Sequence, residues 1–152
     1  IAHAVPDAIV GAGTVLSASQ VAEARSAGSH FLVSPGSTLK LAEAAAQAQV
    51  PLLPGVATAS EAMTMAELGF HILKFFPAEP AGGVAYLKSL SAPLPHLIFC
   101  PTGGIDEAKA KSYLALPNVV CVGGSWITPA DAVKAGDWKR ITELTKACAS
   151  LR

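Results

Sequence analysis

Patterns typical of strand, turn and helix alternate along the chain, and this repeat limits the fold more than any other feature. Short apolar runs, most of which end at Pro or Gly, lie at residues 8–12, 31–33, 50–53, 72–76, 97–100 and 119–122. Near-continuous apolar character predicts strands that are buried on both faces of a parallel sheet. Because helix patterns lie between these runs, the sequence predicts an α/β fold.

Capping residues mark the ends of the predicted helices. Segments 17–20 and 58–61 fit the capping box, in which a hydroxyl and a carboxylate or amide satisfy free backbone N–H groups. We predict that Thr128 caps a helix beginning at Pro129, and that the alanine-rich segment 40–49 is a helix packed closely on a sheet. Other predicted caps and helix stops are Asp106, Asp137, Gly28, Gly69 and Gly136.

The spacing of the repeat predicts a parallel architecture, either doubly wound or a (β/α)8 TIM barrel. A doubly wound fold is typically marked by a glycine fingerprint after its first strand, and the segment 11–14 lacks the third glycine of that fingerprint. A barrel needs eight strands and about 250 residues, whereas this chain of 152 residues offers about six units. We therefore expect one partial TIM-barrel domain over residues 1–152, with the first two βα units missing. The absence of an initiator Met agrees with a fragment.

Composition excludes several classes of protein. The chain is 51% hydrophobic and 14% charged, with no net charge, which predicts a compact domain and excludes disorder. There is no basic patch for nucleic acid and no apolar stretch of membrane-spanning length. Three cysteines without CxxC spacing and four scattered histidines indicate reduced thiols in a cytoplasmic protein and no metal site.

Lys74 is the candidate for chemistry, because it is one ammonium within the apolar and aromatic run 72–76. A dry environment penalises the charged form of lysine and is expected to lower its pKa, which produces a nucleophilic amine. Side chains alternate along a strand, so Ile72, Lys74 and Phe76 are predicted to share one face, the interior face in a barrel. The alternative is a lysine that extends from a strand end to solvent.

Paired glycines follow the last two predicted strands, in the segments Cys100 to Ile105 and Val122 to Trp126. Glycine leaves backbone N–H groups uncovered, and a following short helix presents its positive end, so both features suit a phosphate. Two consecutive strand ends of this kind resemble the phosphate site of barrels. The alternative is that these glycines only make tight turns.

Four segments together resemble the 2-keto-3-deoxy-6-phosphogluconate (KDPG) aldolases. They are GAGT at 11–14, KFFPAE at 74–79, FCPTGGI at 99–105 and GGSW at 123–126, and the resemblance covers essentially the whole chain. It implies a class I lyase on a (β/α)8 barrel, without metal or cofactor, in the Entner–Doudoroff pathway. It also implies a homotrimer that acts on a phosphorylated 2-oxo acid, with 4-hydroxy-2-oxoglutarate as a further substrate of related enzymes.

The resemblance also implies roles for individual residues. Lys74 corresponds to the Schiff-base lysine and Phe76 to the aromatic residue beside it. Contacts to the pyruvyl part and the reacting carbons are implied for Thr14, Pro35 and Thr102. The phosphate is implied to bind at Gly103, Gly104, Gly124 and Ser125. We expect Phe76 to keep Lys74 dry, so that Phe76→Ala raises the lysine pKa and slows imine formation.

The chain departs from the family at one point. The glutamate that serves the family as general acid/base, and the arginine that binds the substrate carboxylate, belong upstream of Ile1. Glu79 follows Pro77 at a strand exit, where a solvated carboxylate on the rim is the expected role.

Two other functions stay open on the sequence alone. An isomerase of sugar phosphates would need an Asp or Glu at a strand end for proton abstraction, and no predicted strand end carries one. A non-catalytic partial barrel would expose two edge strands and would be prone to association.

Overall fold

The computed structural model describes residues 1–151 and divides the chain into two compact units, Ile1–Phe76 and Pro77–Arg152. Arg152, the last residue of the predicted domain 1–152, lies outside the described residues. Strands and helices alternate along the chain and the strands of the first unit pair in parallel, so the predicted α/β class with parallel strands is confirmed. The closed barrel and its number of units stay predictions.

Five short strands and three helices form the first unit. In chain order they are β1 Gly11–Gly13, α1 Ala18–Ser26, β2 Phe31–Val33, α2 Leu39–Gln47, β3 Leu52–Leu53, β4 Gly55–Val56, α3 Ala59–Glu67 and β5 Ile72–Phe75. The first three strands pair in parallel in the order β1-β2-β3, and β4 pairs in parallel with β5. Parallel pairing brings the carboxyl ends of neighbouring strands to one edge, and candidate site residues follow three of these ends.

A helix-covered core stabilises the first unit. Leu32 of β2 is fully buried and belongs to one apolar cluster with Leu41 and Ala45 of α2. The alanine-rich helix thus packs closely on the sheet as predicted, and it begins one residue before the predicted range. Small alanine side chains allow this close approach because they add little bulk between helix and strand.

The second unit contains one strand and four α-helices. They are α4 Gly83–Leu90, β6 Ile98–Pro101, α5 Glu107–Leu114, α6 Ala130–Ala135 and α7 Trp138–Cys148, with a short 3₁₀ helix at Ser125–Ile127. None of the helices between residues 1 and 151 has the length and apolar character needed to cross a bilayer.

The predicted strand at 119–122 is wrong as a continuous element. The segment 119–123 makes two isolated parallel bridges to the segment that contains β6, Phe99 with Val119 and Thr102 with Gly123, and the second lies one residue beyond the predicted strand. The offset changes from 20 residues (119 − 99) to 21 residues (123 − 102), so one extra residue lies between the two bridges. A bulge of this kind interrupts the ladder.

Most predicted helix caps are confirmed. Thr58 and Glu61 form a complete capping box, and Ser17, Asp106 and Asp137 accept hydrogen bonds from the first turns of their helices. Hydrogen bonds from the N–H groups of Ala57 and Thr58 lower the pKa of the Glu61 carboxyl.

Two predicted caps differ from the structure. Thr128 is not the cap of α6, because Pro129 occupies the N-cap position and makes no side-chain capping bond. At α1 one of the two hydrogen bonds of the predicted capping box is displaced by one residue. The Gln20 side chain accepts from the N–H of Leu16, whereas the predicted donor is the N–H of Ser17.

Candidate active site

Lys74 lies on the less buried face of β5. Leu73 and Phe75 are fully buried, whereas Ile72 is 50% exposed and Lys74 and Phe76 are half-buried. This alternation confirms that Ile72, Lys74 and Phe76 share a face. Of the two faces, that of Leu73 and Phe75 is the buried one within this chain, and the dryness of the Lys74 face stays a prediction.

The amine of Lys74 lies over the aromatic ring of Phe76. The distance from Nζ to the ring centroid is 4.9 Å, within the range of a cation–π contact. Such a contact favours a positively charged nitrogen, whereas burial by the same ring favours a neutral one. The ring therefore acts on the lysine in two opposite ways, and the sequence prediction considered only the second.

Gly55 connects Lys74 to another candidate residue, Pro35. Gly55 is paired in register with Lys74 on the neighbouring strand, and the N–H of Lys74 donates to the carbonyl of Pro54 at 2.8 Å. A Cβ atom at Gly55 would lie 2.2 Å from the carbonyl carbon of Pro35. The absence of a side chain at Gly55 thus lets the segment that carries Pro35 approach the lysine strand.

Two serines hold this arrangement in place. The N–H of Gly55 donates to Ser37 Oγ at 3.1 Å and to Ser34 Oγ at 3.4 Å, and the two hydroxyls are 2.7 Å apart. Ser34 is fully buried, and both of these contacts satisfy its hydroxyl. The sequence analysis missed Gly55, Ser34 and Ser37, although the Pro54-Gly55 pair directly after an apolar run was a usable signal.

Thr14 follows β1 directly and is exposed. The next residue, Val15, donates its N–H to the carbonyl of Val33 at 3.0 Å, so the end of β1 stays attached to the end of β2. Thr14 and Pro35 therefore follow adjacent parallel strands. The first unit places four of the predicted residues at strand ends: Thr14, Pro35, Lys74 and Phe76.

The remaining predicted residues line one cleft in the second unit. The cleft has a volume of about 400 Å³, and its lining is Thr102, Gly103, Gly104, Ile105, Gly123, Gly124 and Ser125. All five predicted residues of this unit are in that set, and Ile105 and Gly123 are additions that the prediction omitted. The lining contains two hydroxyls and no charged side chain, so an anion here would depend on backbone N–H groups and hydroxyls.

Only glycine fits the first turn of this cleft comfortably. Gly103 and Gly104 have φ angles of 107° and 77°, in the left-handed region that other residues rarely adopt. The second glycine pair has extended backbone at Gly124, where a Cβ atom would collide with the ring of Trp126. The first pair therefore requires glycine because of its backbone conformation. The second requires glycine at position 124 because there is no space for a side chain.

The predicted contribution of helix ends to anion binding is largely absent. The helix after Gly124 is a 3₁₀ segment of three residues, too short for a substantial dipole. At α5 the carboxylate of Asp106 already accepts from the N–H of Lys109 at 2.9 Å. The N–H of Lys109 in the first turn of α5 is therefore already engaged by this carboxylate.

Glu79 is held by two donors and is not simply a solvated carboxylate. Tyr113 Oη donates to Oε1 at 2.6 Å, and Lys109 Nζ lies 2.9 Å from Oε2. These hydrogen bonds lower the pKa of the Glu79 carboxyl, and the carboxylate in turn raises the pKa of Lys109. Burial and the same carboxylate raise the pKa of Tyr113. A carboxylate stabilised in this way is a poor proton donor.

Among residues 1–151, no group of three or more His, Cys, Asp or Glu side chains is arranged to hold a metal ion. The candidate site is therefore described by one lysine with an aromatic partner in the first unit and by a glycine-lined cleft in the second.

Comparison with known proteins identifies the class of protein to which this chain belongs. Residues 1–144 match the family described as Aldolase: KDPG and KHG aldolase. A 2-dehydro-3-deoxy-phosphogluconate aldolase of Pseudoalteromonas atlantica is 52% identical over 146 residues, which are 96% of this chain and 68% of the relative.

Solved structures agree with the family match. KDPG aldolase from Legionella pneumophila, with pyruvate captured as a covalent carbinolamine intermediate, is 46% identical with a TM-score of 0.94. The shared part is 97% of this chain and 71% of that one. The Zymomonas mobilis enzyme with 3-phosphoglycerate is 44% identical with a TM-score of 0.88, over 97% of this chain and 69% of that one.

The parallel α/β fold and these relatives identify the class of protein as an aldolase, which is a lyase that cleaves a carbon–carbon bond. The chain belongs to the KDPG and KHG aldolase family. This match decides against the isomerase alternative.

Proposed function

We propose that this protein is a class I aldolase that cleaves KDPG to pyruvate and glyceraldehyde 3-phosphate through a Schiff base on Lys74. The observation that carries this proposal is the Lys74 amine, 4.9 Å from the Phe76 ring centroid at the end of a parallel strand. The covalent carbinolamine of the Legionella relative supports an imine route. The family description supports 4-hydroxy-2-oxoglutarate as a second substrate.

The chemistry begins with attack of the neutral Lys74 amine on the C2 ketone of the substrate. The resulting carbinolamine loses water and leaves a protonated imine, which accepts electrons. Removal of the C4 hydroxyl proton breaks the C3–C4 bond, releases glyceraldehyde 3-phosphate and leaves an enamine. Protonation of the enamine at C3 and hydrolysis of the imine then release pyruvate and restore the lysine.

We assign the substrate phosphate to the cleft of the second unit, where Gly103, Gly104, Gly124 and Ser125 would donate hydrogen bonds. The Zymomonas relative that holds 3-phosphoglycerate supports a phosphorylated ligand. Because the phosphate is far from the breaking bond, its binding energy would serve to orient C2 toward the amine. Thr14, Pro35 and Thr102 would contact the pyruvyl part and the reacting carbons.

We assign the proton transfers to a group other than Glu79. Tyr113 and Lys109 engage both oxygens of the Glu79 carboxylate and lower its pKa, which makes it a poor proton donor. The family resemblance assigns the general acid/base to a glutamate upstream of Ile1. The Pseudoalteromonas relative is longer than this chain, which spans 68% of it. Residues 1–152 would then correspond to about the last six βα units of a TIM barrel.

The assembly and location are proposed on the same resemblance. We expect a homotrimer in the cytoplasm that acts in the Entner–Doudoroff pathway, without metal or cofactor. None of the three cysteines forms a disulfide bond within residues 1–151, which fits a reducing compartment.

A coupled assay tests the proposed function. The complete protein should release pyruvate from KDPG, followed as NADH oxidation by lactate dehydrogenase, and pretreatment with EDTA should leave the rate unchanged because an imine mechanism needs no metal. Loss of activity in EDTA with recovery on a divalent cation would contradict a class I mechanism. A complete protein that folds but releases no pyruvate would instead support the non-catalytic alternative.

A substitution at Phe76 separates its two effects on Lys74. Phe76→Leu keeps apolar bulk but removes the ring face, so we expect the protonated imine to lose about 0.5–2 kcal/mol of stabilisation. Imine formation with pyruvate should slow about two- to thirtyfold, measured by borohydride trapping at timed intervals. Phe76→Tyr is the matched control, because it retains the ring. Equal rates for Phe76→Leu and the wild type would show that the ring acts only by excluding water.

A further inference from the structure

Three side chains behind the glycine cleft form one continuous chain of contacts that the proposed reaction does not use. Tyr113 Oη donates to Glu79 at 2.6 Å, Glu79 pairs with Lys109 at 2.9 Å, and Lys109 Nζ donates to the carbonyl oxygen of Gly104 at 2.9 Å. Tyr113 is fully buried in the core of the second unit. The chain of contacts therefore runs from the core to the turn that lines the cleft.

Glu79 also contacts this turn through its backbone and its aliphatic carbons. Its N–H donates to the carbonyl of Gly103 at 3.1 Å, and a Cβ atom at Gly104 would lie 2.9 Å from Cβ and Cγ of Glu79. Both carbonyls of the Gly103–Gly104 turn thus accept hydrogen bonds from partners, Glu79 and Lys109. Each carbonyl shares a planar peptide group with the N–H of the following residue. A hydrogen bond that holds the carbonyl therefore also holds the direction of that N–H group.

Lys109 acts on the cleft through Gly104 and does not line it. The cleft lining contains no lysine, and Lys109 Nζ is engaged with Glu79 and the Gly104 carbonyl. Two successive residues with positive φ have no side chains to restrain them, so the turn would otherwise be free to adopt other conformations. A restraint from outside the cleft is then needed for preorganised binding.

We propose that Tyr113, Glu79 and Lys109 are positioning residues that hold the Gly103–Gly104 turn in its phosphate-binding form. This inference rests on the proposed function, in which that turn receives the phosphate of the substrate. By holding the turn, the three residues favour the binding of phosphorylated substrates, although they do not contact the substrate themselves. They contribute little to the imine chemistry, which requires Lys74.

Positioning and simple charge attraction predict opposite results for Glu79→Gln. Removing a negative charge near the cleft would strengthen the binding of an anion if only attraction mattered. If positioning matters, the loss of the ion pair with Lys109 loosens the turn and weakens binding, by about tenfold for a hydrogen bond to a charged group. The sign of the change therefore separates the two explanations.

The experiment uses the complete protein and two kinds of measurement. Binding of inorganic phosphate is measured by calorimetry for the wild type, Glu79→Gln, Lys109→Met, Lys109→Arg and Tyr113→Phe. Lys111→Met is the matched control, because Lys111 is an exposed lysine of the same helix. Cleavage is measured with KDPG and with 4-hydroxy-2-oxoglutarate, which carries no phosphate.

We expect Glu79→Gln and Lys109→Met to raise the Kd for phosphate and the KM for KDPG about tenfold. Their kcat/KM for 4-hydroxy-2-oxoglutarate should change less than about twofold, and Lys109→Arg and Tyr113→Phe should give intermediate values. Equal losses on both substrates would show a general structural role and overturn the inference. Tighter phosphate binding by Glu79→Gln, or no change in any variant, would overturn it as well.

Failure of the proposed function gives a different result. If the wild type binds phosphate and the variants bind it more weakly, but no protein releases pyruvate, the positioning role holds and the aldolase proposal is wrong. If the wild type cleaves KDPG but does not bind phosphate at this turn, the aldolase proposal holds and the positioning role is wrong.

Discussion

Replacement of Lys74 by methionine is expected to abolish covalent capture of pyruvate by this protein. In the wild type, borohydride reduction in the presence of pyruvate should attach a reduced pyruvyl group to Lys74 alone, found by mass spectrometry of peptides. Lys74→Met should carry no adduct, and its kcat for KDPG should fall about 10⁴-fold or more, because no other group replaces a missing covalent nucleophile.

Two further variants control this result. Lys74→Arg keeps the positive charge but provides no amine that forms an imine, so it should be as inactive as Lys74→Met. Lys88→Met removes an exposed lysine of α4 and should retain both the adduct and the activity. An adduct on a different lysine in the wild type, or an adduct that persists in Lys74→Met, would disprove the assigned role.

Replacement of Phe75 by alanine should produce the largest loss of stability along the same strand. The Phe75 side chain is fully buried, so its truncation removes apolar contacts and leaves a cavity that the fold fills only in part. We expect the free energy of unfolding to fall by about 3–5 kcal/mol, measured by urea denaturation.

Ile72→Ala is the matched control for this experiment. Ile72 lies on the opposite face of β5 and is 50% exposed, so its truncation should cost about 1 kcal/mol or less. Similar losses for the two variants would contradict the assignment of Phe75, and not Ile72, to the buried face of β5.

The two experiments probe opposite faces of strand β5, which the sequence predicted in part. The apolar run 72–76 predicted β5, and the period of two predicted which residues share the face of Lys74. The sequence predicted that the Lys74 face is the interior face of a barrel, but the run does not show which face is more buried within this chain, because both faces carry large apolar side chains. Only contacts with distant residues decide that question.

Local signals were reliable at helix ends and less reliable where strands meet. Thr58 and Glu61 form their capping box because the two partners are three residues apart and need no other part of the chain. The predicted strand at 119–122 is interrupted because its pairing with the β6 segment shifts by one residue, and that register depends on a second segment.

The sequence by itself determined the α/β class, the family and the positions of the site residues at the ends of strands. These features depend on residue type, on spacing and on local backbone geometry, which are all written in the chain. The tertiary structure alone decided the contact of Gly55 with Pro35, the burial of Leu73 and Phe75, and the link from Tyr113 through Glu79 and Lys109 to Gly104. Those contacts join residues that are far apart in sequence, and no local pattern encodes which pairs meet in the folded chain.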